Sequence, residues 1–187
     1  MPRPLRIEIP GAFYHLGARG NDRQQIFDDE LRAVWLDVVA QSVRKYGWTV
    51  LGYALMTNHY HLVIQLGEGG LSDGMFDLNN AFARASNARF GRINHAFGRR
   101  FWSSVIANER HLSAVIPYVM WNPARKRVGR HPGDNAWTSY RASIGLDDPP
   151  ACLATRELLQ LYGPNPQKAV AAFNRHVSES HGRCQAP

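Results

Sequence analysis

The sequence holds only two cysteines and no long apolar run. Cys152 and Cys184 both lie late in the chain without the spacing of metal-binding cysteines, which argues against a disulfide framework or a zinc knuckle. Charged residues and prolines interrupt residues 1–10, unlike a secretory signal. The uncharged stretch 46–67 carries too many polar side chains to span a membrane. We therefore expect a cytoplasmic protein that makes no contact with membranes.

Acidic residues are almost absent from one long segment of the chain. The 187 residues include 22 Lys and Arg against 15 Asp and Glu, and segment 84–130 alone contains ten basic residues and one acidic residue, Glu109. A surplus this concentrated is typical of a face that binds a polyanion, and nucleic acid is the commonest polyanion in the cytosol. A solvated basic surface without a ligand is the alternative that charge alone leaves open.

The spacing of apolar residues predicts one compact domain built from a sheet and two helices. The first helix has Asp28 or Asp29 as its cap and stops at Gly47, and the second opens at Ser72 or Asp73 and stops at Gly91. Strands are predicted over residues 13–19, 48–56, 59–66 and 101–107. This βαββαβ order is that of a ferredoxin-like α+β fold, in which the helices cover one face of an antiparallel sheet and leave the other face open.

Beyond the sheet, three further helices are predicted, over residues 109–122, 155–162 and 166–178. Asn165 can cap the last of them, and Pro166 suits its first position. The composition changes from Asp147 onward, ahead of a Pro-Pro pair. We therefore predict a domain over residues 1–146 and a helical extension over 147–187 that packs on it.

Two histidines share one face of the third predicted strand. Because side chains alternate along a strand, His59 and His61 point to the face opposite the apolar residues Tyr60, Leu62 and Ile64. The apolar residues must meet the helices, so both imidazoles lie on the open face, where one divalent cation can take a nitrogen from each. The alternative is a pair of half-exposed histidines with no ligand.

A tyrosine and an asparagine are one helical turn apart within the basic segment. In a helix, Tyr118 and Asn122 project from the same side, apart from an apolar stripe formed by Leu112, Val115, Ile116 and Val119. A phenol is mostly protonated at neutral pH and needs a nearby cation or base to act as a nucleophile. Pro117 removes one backbone hydrogen bond from this helix and is expected to affect how the phenol is aimed. The alternative is a packed aromatic residue without a catalytic role.

Together these motifs resemble a known family. His59-Tyr60-His61 resembles the His-hydrophobe-His motif of HUH endonucleases, with a tyrosine in the hydrophobe position. Tyr118 followed by Asn122-Pro123 and a basic run resembles the nucleophile helix of their single-tyrosine branch. Further landmarks occur in matching order: Arg19-Gly20-Asn21, Arg100-Phe101-Trp102 and Trp137-Thr138-Ser139-Tyr140. Over residues 12–145 the chain is similar to the REP-associated tyrosine transposases, which are related to insertion-sequence transposases.

The resemblance implies an enzyme that cleaves and rejoins single-stranded DNA beside a hairpin. It implies that His59, His61 and Asn122 hold Mg²⁺ or Mn²⁺ on the scissile phosphate. Tyr118 then attacks, which leaves a 5′-phosphotyrosine and a free 3′-OH. The resemblance favours a monomer over a dimer, and it implies no small-molecule substrate.

Side-chain chemistry divides the expected DNA contacts into two groups. Phosphate contacts are expected from Arg99, Arg100, Arg125, Lys126 and Arg127, and base-edge contacts from Arg19, Asn21 and Arg23. Trp102 and Trp121 are candidates for stacking on unpaired bases if their rings are exposed.

Two other functions are compatible with the same residues. One is a nucleic-acid-binding module on a ferredoxin-like scaffold, either non-catalytic or a catalytically impaired relative. The other is a metallonuclease that uses water as its nucleophile and forms no protein–DNA bond.

Overall fold

The computed structural model describes residues 8–125 and 130–180 and confirms the predicted α+β architecture. Its helices and strands follow the chain as β1 Phe13–Arg19, α1 Asp29–Tyr46, β2 Thr49–Leu55, β3 His59–Gln65, α2 Leu71–Phe90, β4 Trp102–Ile106, α3 Glu109–Arg125, α4 Tyr140–Ser143, α5 Thr155–Gln160 and α6 Pro166–Glu179. The four strands form one sheet in the order β2-β3-β1-β4, with every neighbouring pair antiparallel. This strand order, with α1 and α2 as connections, is the ferredoxin-like arrangement.

Helices α1 and α2 cover the first face of the sheet. Tyr60, Leu62 and Ile64 of β3 are fully buried in the core under these helices, together with Trp35 of α1 and Phe82 of α2. The predicted ends of α1 are confirmed. The Asp28 carboxylate accepts a hydrogen bond from Leu31 N at 2.9 Å, and Gly47 takes a left-handed conformation with φ of 65°.

The start of α2 differs from the prediction. The helix begins at Leu71, ahead of Ser72 and Asp73, and neither of these residues caps it. The carboxylate of Glu8 accepts hydrogen bonds from Leu71 N at 3.0 Å and Ser72 N at 2.9 Å. A residue from before the first strand thus satisfies the unpaired N–H groups of this helix. Local sequence cannot signal such a distant cap.

The second face of the sheet is largely covered, contrary to the expectation that it is open. The predicted apolar stripe of α3 is buried, and it packs with Leu51 of β2 and Val63 of β3. Phe173 and Val177 of α6 join the same apolar cluster, and the indole nitrogen of Trp121 donates to the Val177 carbonyl at 2.7 Å. Trp121 is therefore buried and cannot stack on bases. The division of the chain at residue 146 stays a prediction.

Helix α3 is longer than predicted. It continues through Pro117 and Pro123 to Arg125, and both prolines are buried. Each proline costs the helix one backbone hydrogen bond. Burial of the apolar stripe of α3 offsets that cost. In the described part of the chain, no helix has the length and apolar character needed to cross a membrane.

Candidate active site

The two histidines of β3 lie on the sheet face that α3 crosses. In the register of the sheet, His59 pairs with Arg19 and His61 pairs with Gly17 of β1. The predicted alternation is confirmed, because Val63 on the same face packs against α3. Both imidazoles are more buried than expected, with 9% of His59 and 8% of His61 exposed. Burial excludes much of the surrounding water, so any charge bound between these rings is weakly screened.

Asn58 sets the orientation of the His59 ring. Its Nδ2 donates to the Arg23 carbonyl at 2.9 Å, which fixes the amide so that Oδ1 faces His59 Nδ1 at 2.7 Å. An amide oxygen only accepts, so the imidazole proton sits on Nδ1. The lone pair of His59 is then on Nε2, as in most metal-binding histidines whose other nitrogen donates to an oxygen acceptor.

His15 of β1 contacts His61, and the sequence analysis did not single it out. The two rings stack with centroids 5.2 Å apart, and His15 Nε2 lies 3.1 Å from His61 Nδ1. Burial lowers the pKa of His15 to about 4 and the pKa of His61 well below its usual range. Both rings are therefore neutral at neutral pH. A proton on His61 Nδ1 that is donated to His15 leaves the lone pair of His61 on Nε2.

Tyr118 lies against these imidazoles despite its distance from them in the sequence. The centroid of its half-buried ring is 6.0 Å from that of His61 and 5.9 Å from that of His15, and the ring lies edge-on to both. Pro117 therefore does not turn this residue away from the sheet. The structure therefore places the Tyr118 ring beside those of His61 and His15, and its role as a nucleophile stays a prediction.

Asn122 is the candidate for a further oxygen ligand. It follows Tyr118 by one helical turn, is buried, and its Oδ1 has no hydrogen-bond partner among the described residues. A buried amide oxygen without a partner is costly, and a cation would satisfy it. Residues 8–125 and 130–180 contain no group of three His, Cys, Asp or Glu side chains placed to hold a metal ion. Beside the two histidines, Asn122 is thus a candidate ligand, and its amide oxygen is a donor type that suits Mg²⁺ and Mn²⁺.

Trp102 of β4 forms one wall of the cluster because Gly17 has no side chain. The two residues pair across the β1–β4 ladder, and the Trp102 ring lies 4.5 Å from the His15 ring. A Cβ on Gly17 would come within 2.4 Å of the indole and 2.5 Å of the Tyr60 carbonyl oxygen. Trp102 remains 40% exposed, so part of the residue is accessible to a ligand.

Gly17→Ala is expected to displace the indole and destabilise the protein by about 1–3 kcal/mol, the usual cost of forcing a methyl group into packed atoms. The indole N–H signal of Trp102 in a ¹H–¹⁵N spectrum should shift, and thermal unfolding should occur at lower temperature. Gly52→Ala on β2 is the matched control, because the nearest atom to a Cβ there, Ser139 Oγ, is 3.4 Å away. Equal effects of the two substitutions would contradict this account of Gly17.

The predicted DNA contacts near the first loop lie together beside this cluster. One cleft, next to Trp102, is lined by Arg19, Asn21, Arg23, Arg99 and Arg100. Hydrogen bonds from Asn21 N to the Ala96 carbonyl at 2.9 Å and from Gly98 N to the Arg19 carbonyl at 3.2 Å join its two sides. The side chain of Arg125, together with Lys126 and Arg127, lies outside the described residues.

Not every basic residue of segment 84–130 is available to a ligand. Arg89 is paired with Asp28 and Glu30, and Arg92 donates to the Gln25 carbonyl. Arg99 and Arg100 are exposed and line the cleft, so they are the basic residues of this segment that a ligand there can reach. Four arginines and one acidic residue, Asp22, line the cleft, which therefore has the net positive charge of an anion-binding surface.

Comparisons with known proteins concern the family and the fold of the chain. Residues 9–121 match the family described as IS200-like transposases. The fold is similar to that of a REP-associated tyrosine transposase bound to a REP hairpin, with a TM-score of 0.68 and 16% identity over 82% of this chain and 92% of that chain. At 16% identity, this similarity shows a shared fold alone. No protein with a curated functional description matches the sequence.

Two further solved structures are similar over shorter or looser alignments. One is a putative transposase from Deinococcus radiodurans, with 16% identity and a TM-score of 0.44 over 60% of this chain and 89% of that one. The other is a tRNA(His) guanylyltransferase from Saccharomyces cerevisiae, with 11% identity and a TM-score of 0.42 over 96% of this chain and 82% of that one. Scores this low carry no argument about function.

Proposed function

The chain belongs to the IS200-like transposase family, and on that premise we propose that it cleaves and rejoins single-stranded DNA through a covalent bond to Tyr118. The observation that carries this proposal is the position of the Tyr118 ring, 6.0 Å from the ring of His61. A phenol beside the imidazoles of His15 and His61, with Asn122 one helical turn further along, supplies groups suited to transesterification at a phosphodiester. A transposase role in processing DNA follows from the family, and the chemistry is our proposal.

In the first step, the Tyr118 oxygen attacks the scissile phosphorus. A bond forms between that oxygen and phosphorus, and the bond from phosphorus to the 3′ oxygen breaks. The phenol loses its proton to solvent and the departing 3′ oxygen takes one up, so a 5′-phosphotyrosine and a 3′-OH result. The energy of the phosphodiester is kept in the new bond, and a second 3′-OH can reverse the step to join strands without ATP.

His59, His61 and Asn122 would hold Mg²⁺ or Mn²⁺ against the scissile phosphate. When bound, such an ion neutralises charge on the phosphoryl oxygens and stabilises the leaving oxygen. Asn58 and His15 keep the two rings oriented by occupying Nδ1 of His59 and Nδ1 of His61. Because these rings are packed before DNA binds, little reorganisation is needed when the phosphate arrives.

The cleft beside the cluster would guide the strand to Tyr118. Arg99 and Arg100 contact phosphates, and Arg19, Asn21 and Arg23 contact base edges. The exposed part of Trp102 stacks on an unpaired base, an interaction worth roughly 1–3 kcal/mol. Similarity to a transposase bound to a REP hairpin supports a hairpin with a single-stranded flank as the substrate. We propose that one copy of the chain is sufficient, with 1–146 as the enzymatic domain and 147–187 as its extension.

A hairpin oligonucleotide with randomised single-stranded flanks and a 3′ label tests this proposal. With Mn²⁺ present, the label should migrate with the protein on a denaturing gel, since the protein is joined to the 5′ phosphate of the labelled fragment. Trypsin should leave the DNA on the peptide 111–125, which contains Tyr118. Cleavage without a protein-bound label would indicate water as nucleophile. Binding without cleavage would indicate a nucleic-acid-binding module.

A further inference from the structure

A second cleft lies on the other side of the loop that follows β1. Its volume is about 520 Å³, and its polar lining consists of Arg19, Arg23, Arg32, Asn58, His59 and Asn135 with Thr57. Arg19 and Arg23 also line the cleft beside Trp102, so the two clefts are separated by one loop. His59 forms part of the wall, and the second cleft therefore adjoins the proposed position of the scissile phosphate.

Arg32 is the residue of this cleft that neither the motifs nor the proposed chemistry uses. It lies on α1, and its guanidinium is 5.5 Å from the centre of the Trp137 ring. Nη1 is paired with Asp29, and only 13% of the side chain is exposed. The Nε atom is buried and has no hydrogen-bond partner within residues 8–125 and 130–180. A buried donor without a partner is unfavourable, and an oxygen ligand would offset that cost.

The cleft has the charge and the rigidity of a preformed anion site. Three arginines line it, and no carboxylate belongs to its lining among the described residues. The backbone of Trp137 is fixed by two hydrogen bonds. Its amide N–H donates to Asn135 Oδ1 at 2.7 Å, and its carbonyl accepts from Leu55 N at 2.9 Å. A guanidinium stacked on a fixed indole loses little side-chain entropy when it binds a phosphate.

We propose that this cleft binds the backbone phosphate of a nucleotide that neighbours the cleaved one, with Arg32 as the principal contact. This inference rests on the proposed function, because it requires DNA to cross His59. A strand that passes the histidine pair enters one cleft at Trp102 and the other at Arg32, with Arg19 and Arg23 between them. A contact to phosphate strengthens binding to every sequence, whereas a contact to a base edge would favour particular bases.

Binding of fluorescein-labelled (dT)₁₂, (dA)₁₂ and (dC)₁₂ measures the effect of Arg32→Met. This substitution keeps an apolar side chain over Trp137 and removes the charge. We expect affinity for all three strands to fall roughly tenfold, equivalent to one hydrogen bond between charged groups. The slope of log affinity against log salt should flatten by about 0.7, the value for one lost phosphate contact on a single strand. Arg44→Met, an exposed arginine of the same helix, should leave both quantities unchanged.

A titration followed by ¹H–¹⁵N spectra separates this inference from the proposed function. The indole N–H signals of Trp102 and Trp137 should both shift when (dT)₁₂ is added to the wild type, and only that of Trp102 should shift in Arg32→Met. A shift of Trp102 alone in the wild type would overturn the second site and leave DNA binding intact. No shift of either indole would overturn both proposals. In the affinity measurements, a loss of affinity in Arg32→Met for only one of the three oligonucleotides would overturn the phosphate contact.

If Arg32→Met unfolds at a much lower temperature than the wild type, Arg32→Lys provides the second variant. It retains the charge and the aliphatic chain, so the salt slope should return to the wild-type value. A slope that stays flattened in Arg32→Lys would overturn the assignment of Arg32 to a phosphate.

Discussion

Tyr118→Phe is expected to abolish strand cleavage and the covalent adduct, lowering the cleavage rate by at least about 10³-fold, as the loss of a nucleophile does in other enzymes. The substitution removes one oxygen and keeps the ring, so the edge-on contacts with His15 and His61 remain. Affinity for single-stranded DNA should therefore change little, because the basic clefts are intact. Cleavage and adduct formation are read together on denaturing gels with 3′-labelled DNA.

Tyr162→Phe is the matched control for this experiment. The Tyr162 hydroxyl also contacts a histidine, His176, at 3.0 Å, but both residues belong to the C-terminal extension. This variant should cleave like the wild type. A phosphotyrosine adduct that persists in Tyr118→Phe would assign the nucleophile to another residue.

His61→Ala is expected to remove metal-dependent cleavage, with a loss larger than about 100-fold at any Mn²⁺ concentration tested. The substitution removes one of two proposed imidazole ligands, and loss of a ligand exceeds the 10–100-fold effect of losing a group that only orients a ligand. The cleavage rate is measured at increasing Mn²⁺ concentrations, and calorimetric titration of Mn²⁺ into the protein–DNA complex measures binding of the ion directly.

His15→Ala should give a smaller loss than His61→Ala, about 10–100-fold in Mn²⁺ affinity, because it removes only the partner of His61 Nδ1. His95→Ala, at an exposed position of the loop before β4, serves as the control and should behave like the wild type. If His61→Ala kept the wild-type dependence on Mn²⁺, the histidine pair would not be the metal site.

Local patterns in the sequence were sufficient to predict most of the fold. The alternation of His59, Tyr60, His61 and Leu62 gave the correct faces of β3, since adjacent side chains of a strand must point in opposite directions. Asp28 and Gly47 marked the ends of α1 correctly, because capping and the left-handed stop depend on residues at the helix ends themselves. The predictions were wrong where a distant residue intervenes: Glu8 caps α2, and packing carries α3 past Pro123.

The site was predictable only in part. The histidine pair and the Tyr118 helix each stood out because their spacing places chemistry on one side of a regular element. His15 could have been found by the same alternation, since it pairs with Val63 and so lies on the sheet face of His61, but a lone histidine in a strand is a weak signal. The role proposed for Arg32 carries no sequence signal, because apart from its neighbour Asp29 it depends on Trp137 and Asn135, which are far away in the sequence.

The sequence by itself determined the order of the four strands and of helices α1 to α3, and which face of β3 packs under α1 and α2. Those properties depend on the short repeat lengths of helices and strands, which neighbouring residues reveal. The tertiary structure alone decided which of these residues meet: that Tyr118 faces His61, that Trp121 is buried while Trp102 is exposed, and that Arg32 joins a second cleft. Such contacts depend on strand register and helix packing, which bring together residues distant in the chain and leave no local pattern.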